Sequence, residues 1–235
     1  MKILALDSSG LVASVAVLED NTMLAEYTMN YKKTHSQTLL PMLDEMAKMI
    51  DLDLNSVDAI AVAGGPGSFT GLRIGSATAK GLGLALKKPL ISIPTVDGLA
   101  YNLCGTDKIV CPLMDARRNQ VYTGIYEFEG NELKVLKGQM AVDLSEITEL
   151  LNELGREVIF LGDGCPVYEE QLKELLRVPF SFAPAHMSRQ RAGAVGALAL
   201  CYAKEGKMDS APEHQTDYLR MSQAERERAE KAAKV

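Results

Sequence analysis

The sequence predicts an α/β protein in which one architectural unit is used twice, each copy a mixed sheet flanked by helices. Three observations lead there. Each half opens with three short apolar runs separated by turn residues. Each trio is followed by an amphipathic helical period, a buried strand and a second helix. The two halves repeat this order without repeating the residues. Strands that reverse at tight turns pair antiparallel, and strands reached through a crossover helix add in parallel, so each half reads βββαβα.

In the first half the strands are expected at residues 3–6, 12–18 and 23–29, with Ser8-Ser9-Gly10 and Glu19-Asp20-Asn21 as turns. A helix over 35–50 follows from Leu39, Leu40, Leu43, Met46, Ala47 and Ile50, which share one face. Thr34 and Gln37 have capping-box spacing, and Pro41 stands where it would kink the helix. A buried strand at 59–63, a helix over 71–86, a strand at 89–93 and a short helix over 96–103 complete this half. The second half predicts strands at 109–114, 120–128 and 133–140, a helix over 145–154, a strand at 158–161 and a helix over 167–176. An alanine- and glycine-rich helix over 188–203 comes last. Residues 221–235 are Glu, Arg, Lys and Ala with almost no apolar face, and are expected as a solvated tail.

Composition narrows the function. The 235 residues are 47% hydrophobic and 24% charged, which excludes a disordered or fibrous chain. Thirty-one acidic against 25 basic side chains give a net charge of −6, which weighs against a dedicated nucleic-acid surface. Asp7 interrupts the first apolar stretch before a signal-type core forms, and the weakly polar run 192–203 is shorter than the roughly 20 residues of a membrane span. Four cysteines without C-x-x-C spacing read as reduced thiols, so a cytoplasmic protein with no membrane attachment is expected. Three histidines leave little for a metal centre.

The strongest local feature is GGPGSFTGLRIG at 64–75, which follows a buried strand and opens a helix, the setting in which backbone N–H groups cradle anions. It lacks the Gly-Lys-Ser/Thr ending of a Walker A loop and the spacing of a dinucleotide fingerprint. In the helix behind it, Gly71, Gly75, Ala79 and Gly83 stand four apart and leave one face almost bare. Helical glycines cost about 1 kcal/mol each against alanine, so a close neighbour must compensate. Spacing alone favours a neighbour in the same chain and leaves another chain open. Met42, Met46 and Met49 widen the apolar stripe of the preceding helix, which suits a core or an interface. Asp7-Ser8-Ser9 and Asp115 end corresponding strands of the two halves, where a carboxylate can face a phosphate or close its own turn.

The chain resembles the TsaB (YeaZ) family of the actin-like ATPase (ASKHA, RNase H-like) superfamily of duplicated folds. The matching stretches are ILALDSS at 3–9, His35-Ser36 leading to Leu40-Pro41, VDAIAVAGGPGSFTGLRIG at 57–75, AKG at 79–81, PTVD at 94–97, MDARR at 114–118, LGDG at 161–164 and YLRMSQAERE at 218–227. They span nearly the whole length in order. The resemblance implies one actin-like subdomain over 1–105, a second over 106–220, and the tail beyond. It implies a part in making N6-threonylcarbamoyladenosine beside the tRNA anticodon, as a cytoplasmic partner of TsaD, the metal-binding transferase, and of TsaE. In TsaD the metal is held by an H-x-x-x-H pair. The matching positions here are Thr95 and Leu99, which cannot replace imidazole, so no catalytic or metal-binding residue is expected.

By the same resemblance, Leu39, Met42, Leu43, Met46, Gly71, Arg73, Gly75, Ala79 and Gly83 form the interface with TsaD, and a homodimer when the chain is alone. On that basis Met46→Asp or Gly75→Leu would leave the monomer folded and abolish partner binding. ATP or ADP binding, weak or vestigial, falls to Asp7, Ser8, Ser9 and Asp115, no cofactor is required, and tRNA is met only through the complex. The competing reading is an independent actin-like ATPase or small-molecule kinase. A peptidase, the activity for which relatives were once named, needs a metal pair or triad that His35, His186 and His214 do not build.

Overall fold

A computed structural model describes residues 1–31 and 34–219; the expected tail at 221–235 lies outside the described residues. The first half runs β1 (Lys2–Asp7), β2 (Ala13–Glu19), β3 (Thr22–Met29), α1 (His35–Met49), β4 (Ala59–Gly65), α2 (Phe69–Leu86), β5 (Leu90–Pro94) and α3 (Thr95–Ala100). The second runs β6 (Ile109–Asp115), β7 (Gln120–Glu129), β8 (Glu132–Asp143), α4 (Leu144–Leu154), β9 (Val158–Leu161), α5 (Cys165–Leu175), β10 (Phe180–Phe182) and α6 (Ala192–Lys204). The expected order of elements therefore stands, with one addition: β10 has three residues, too few for a periodic signal.

Two five-stranded sheets result, ordered β3-β2-β1-β4-β5 and β10-β9-β6-β7-β8. β1 pairs antiparallel with β2 and parallel with β4, and β6 does the same with β7 and β9. Period-two alternation divides the first sheet's side chains between two cores. Leu4, Leu6, Val15, Val17, Ile60 and Val62 face α1 and α2. Ile3, Ala5, Ala16, Leu18, Ala61 and Ile91 face α6.

That second core corrects the expected division of the chain. The resemblance places α6 in a second unit over 106–220, yet it covers the first sheet, and α3 from the first half packs on β6 and β7 of the second. Each sheet has two apolar faces and only one pair of local helices, so a helix from the other half closes the remaining face. α6 can lie this close because it is lined with small residues: a side chain on Gly196 would strike Leu18 and Ala5. Its start at Ala192 is four residues later than expected, and the segment before it crosses between the halves. Asn102 Nδ2 donates to the carbonyls of Met187 (3.2 Å) and Arg189 (2.7 Å), and Arg191 is ion-paired with Glu26. Between α3 and α6, buried Asp97 accepts from Tyr126 Oη (2.7 Å) and Tyr202 Oη (3.4 Å).

Local capping differs from expectation at one helix. Thr34 does not cap α1 with its side chain; Gln37 N donates to the Thr34 carbonyl instead. Ser68 does cap α2, accepting from Gly71 N at 3.3 Å.

Candidate functional site

The glycine-rich loop joins β4 to α2 and packs against the turn that ends β1. Ser68 N donates to the Ser9 carbonyl at 2.7 Å, and Ser8 Oγ donates to the Gly71 carbonyl at 2.9 Å. Gly65 has φ +118° and lies against Asp217, so any side chain there would be strained and would overlap that backbone. A Cβ on Gly67 would overlap the Ser9 carbonyl, one on Gly71 the Ser8 carbonyl, and one on Gly75 would come within 2.6 Å of Ser8 Oγ. Close approach of backbone to backbone accounts for these glycines.

Asp7, Ser8 and Ser9 are consequently buried, Asp7 to 2% exposure. Asp7 Oδ1 accepts from Ser9 N (2.9 Å) and Ser9 Oγ (2.6 Å), closing its own turn. Burial pushes the Asp7 carboxyl above the usual carboxylate range, against the pull of those hydrogen bonds and of His35. Asp115 ends β6 at the corresponding place but is exposed, accepting from Arg117 N (2.8 Å) and Tyr168 Oη (3.2 Å). Each of these carboxylates is engaged within its own half. Two residues near the first turn carried no sequence signal for this placement. Gln190 is buried with its amide nitrogen unpartnered beside Gly10, and His35 Nε2 lies 2.8 Å from the Gly10 carbonyl.

The structure corrects the expected interface. Leu39, Met42, Leu43, Met46 and Ala79 all lie in the core beneath α1 and α2. Gly71 and Gly75 face Ser8, and Gly83 faces Leu90 and Ala211. Eight of the nine named residues thus turn inward, and the close neighbour that the bare glycine face requires is the chain's own. Arg73 alone points outward, its guanidinium 3.9 Å from the centre of the Phe69 ring. The outer face of α2 carries Ala77, Gly81 and Leu84 beside Arg73, and on α1 Leu40 and Met49 are exposed on different sides of the helix.

Thr95 and Leu99 lie in α3. The Thr95 hydroxyl accepts from Gly65 N at 3.1 Å, and Leu99 is buried with Val96 and Leu103 between α3 and the second sheet. Among the described residues no group of three or more His, Cys, Asp or Glu is gathered as a metal ion requires. Nor is any described helix long and apolar enough to cross a membrane.

Residues 22–227 match the family model described as TsaD: tRNA N6-adenosine threonylcarbamoyltransferase. A Bacillus subtilis (strain 168) protein described as tRNA threonylcarbamoyladenosine biosynthesis protein TsaB is 32% identical over 225 residues, 96% of each chain. The chain belongs to the TsaB family. The Escherichia coli (strain K12) TsaB is 32% identical over 178 residues, 74% of this chain and 76% of that protein. The solved structure of YeaZ from Pseudomonas aeruginosa superimposes with a TM-score of 0.79 at 26% identity, over 93% of this chain and 99% of that one. The two five-stranded mixed sheets share their fold with that structure and, at 12% identity and a TM-score of 0.50, with the activator of the 2-hydroxyisocaproyl-CoA dehydratase from Clostridium difficile. As a TsaB-family member the chain takes part in tRNA threonylcarbamoyladenosine biosynthesis.

Proposed function

We propose that this chain is a non-catalytic subunit that binds a TsaD-type transferase and supports threonylcarbamoyl transfer to tRNA. The observation that carries the reading is the state of Thr95 and Leu99. The two positions that the resemblance equates with the transferase's metal-holding histidines hold a hydroxyl engaged by Gly65 N and a core leucine. Neither can polarise a substrate, so the chain's contribution is assembly.

The docking face follows from what the fold leaves uncovered. With the inner faces of α1 and α2 spent on the core, the partner meets the outer face of α2, at Arg73, Ala77, Gly81 and Leu84, and the exposed Leu40 on the flank of α1. Gly81 is exposed with nothing within 4 Å of a Cβ placed on it, which admits close approach of a partner helix. A second copy would use the same face when the transferase is absent. TsaE then joins the pair, and tRNA is held through the complex. Nucleotide binding at Asp7, Ser8, Ser9 and Asp115 is weak, because the first three are buried and already bonded to one another or to Gly71.

Sedimentation of the chain alone and with the matching transferase tests this, together with ATP turnover by the isolated chain. The expected result is a one-to-one heterodimer and no turnover. Turnover that Asp7→Ala abolishes, without heterodimer formation, would overturn it in favour of an independent ATPase or kinase.

A further inference from the structure

Beyond α6 the chain turns back as a strap, residues 205–219, along the outer edge of the first sheet. β5 is the last strand of that sheet, and the strap hooks onto it: Leu90 N donates to the Asp209 carbonyl and Asp209 N to the Leu90 carbonyl, both at 2.9 Å. Ala211 then plugs the gap left by Gly83, where an added Cβ would come 2.9 Å from the Ala211 methyl. Lys80 Nζ reaches the Pro212 carbonyl at 3.5 Å. At the far end Asp217 N donates to the Gly64 carbonyl (2.7 Å), Gln139 Nε2 donates to Asp217 Oδ2 (2.9 Å), and the Tyr218 ring lies 5.0 Å from that of Phe69.

Between these anchors sits His214. It is fully buried, and neither ring nitrogen has a hydrogen-bond partner. A neutral imidazole leaves one N–H unpaired in this position; an imidazolium would leave two, and a buried charge besides. The charged groups that face it are Lys80 from α2, which opposes protonation, and Asp209 from the strap itself, which favours it. Burial, with Lys80 acting in the same direction, outweighs Asp209 and holds the ring's pKa below the usual histidine value.

We infer that the strap is a pH-released latch: protonation of His214 frees residues 209–218 from the edge of β5 and from α2, while both sheets stay folded. Release uncovers the β5 edge around Leu90, the Gly83 groove, and the corner at Phe69 and Arg73 beside the outer face of α2. The inference concerns the chain alone and holds whichever protein occupies that face.

Amide exchange of the full chain between pH 7.5 and 5.0, each rate divided by its intrinsic pH-dependent value, tests it. Leu90, Asp209 and Asp217 should lose protection together below about pH 6.5, by up to about tenfold per pH unit, the slope of a single linked proton. Leu4 and Ile60, inside the sheet, should not follow. His214→Gln, which cannot acquire charge, should abolish the step, whereas His35→Gln and His186→Gln should retain it. Strap amides still protected at pH 5.0, or a step that survives in His214→Gln, would overturn the inference. The imidazole titration of the unaltered chain covers the case in which His214→Gln does not fold. A His214 ring titrating near pH 6.5 while the strap amides stay protected also defeats it.

Discussion

Met46→Asp and Leu84→Asp place the same carboxylate on opposite sides of the α1–α2 layer, and the proposed docking face gives them opposite expected phenotypes. Met46 is 3% exposed and surrounded by the core of the first sheet, whereas Leu84 is 59% exposed. Losing the buried methionine removes about 1.5–3 kcal/mol of burial, and a carboxylate in that apolar site adds several more. Together these exceed about 4 kcal/mol, a large part of the roughly 5–15 kcal/mol that stabilises a domain. Leu84→Asp changes a solvated position and should cost within about 0.5 kcal/mol. With a urea dependence of about 2 kcal/mol per molar, Met46→Asp should lower the unfolding midpoint by about 2 M or leave the chain unfolded, and Leu84→Asp should hardly move it. In sedimentation with the transferase, Leu84→Asp should stay folded and fail to form the heterodimer. A Met46→Asp chain with an unchanged midpoint that fails to bind would refute the assignment of inner and outer faces.

Gly81→Trp should likewise keep the unfolding midpoint and lose the heterodimer in sedimentation, since nothing in the chain lies within 4 Å of the added Cβ. Gly83→Ala, only two residues on, should instead lower stability by about 1–3 kcal/mol in urea titration, because its methyl meets Leu90 at 2.5 Å and Ala211 at 2.9 Å. Asp97→Ala strips fully buried Tyr126 of its acceptor and should cost about 1–3 kcal/mol in the same assay, with Asp97→Asn milder. For Asp7, whose folded pKa is raised, the proton is held more tightly in the native state than in the unfolded one. Its contribution to stability is therefore full below the unfolded pKa and lost as pH rises through the folded value. Asp7→Asn keeps an acceptor for Ser9, so urea midpoints at pH 4 and pH 7 should show increased stability at pH 7 and a weaker fall between the two.

Much of the architecture was legible in the residues. The near-continuous apolar runs at 3–6 and 12–18 mark strands because a sheet with two covered faces needs apolar side chains on both. Leu39, Leu43 and Met46 mark a helix because only a 3.6-residue period brings them to one face. The stretch at 57–75 was specific enough to point to the family. β10 was missed because three residues at a sheet edge carry no periodicity. Gln190 and the strap were missed because their roles depend on segments far away in sequence: Gly10 for one, Leu90 and Gly64 for the other.

The sequence by itself determined that α1 has an apolar stripe and that α2 has a side nearly free of side chains. Only the tertiary structure decided what covers them. Periodicity measures how much of a helix must leave water, and glycines four apart measure how closely something must approach; neither says which surface arrives. Here the chain's own first sheet, its Ser8 turn and Ala211 of the strap fill those places. The covering partners come from distant parts of the chain, so the faces left for another protein were set only once the core had closed.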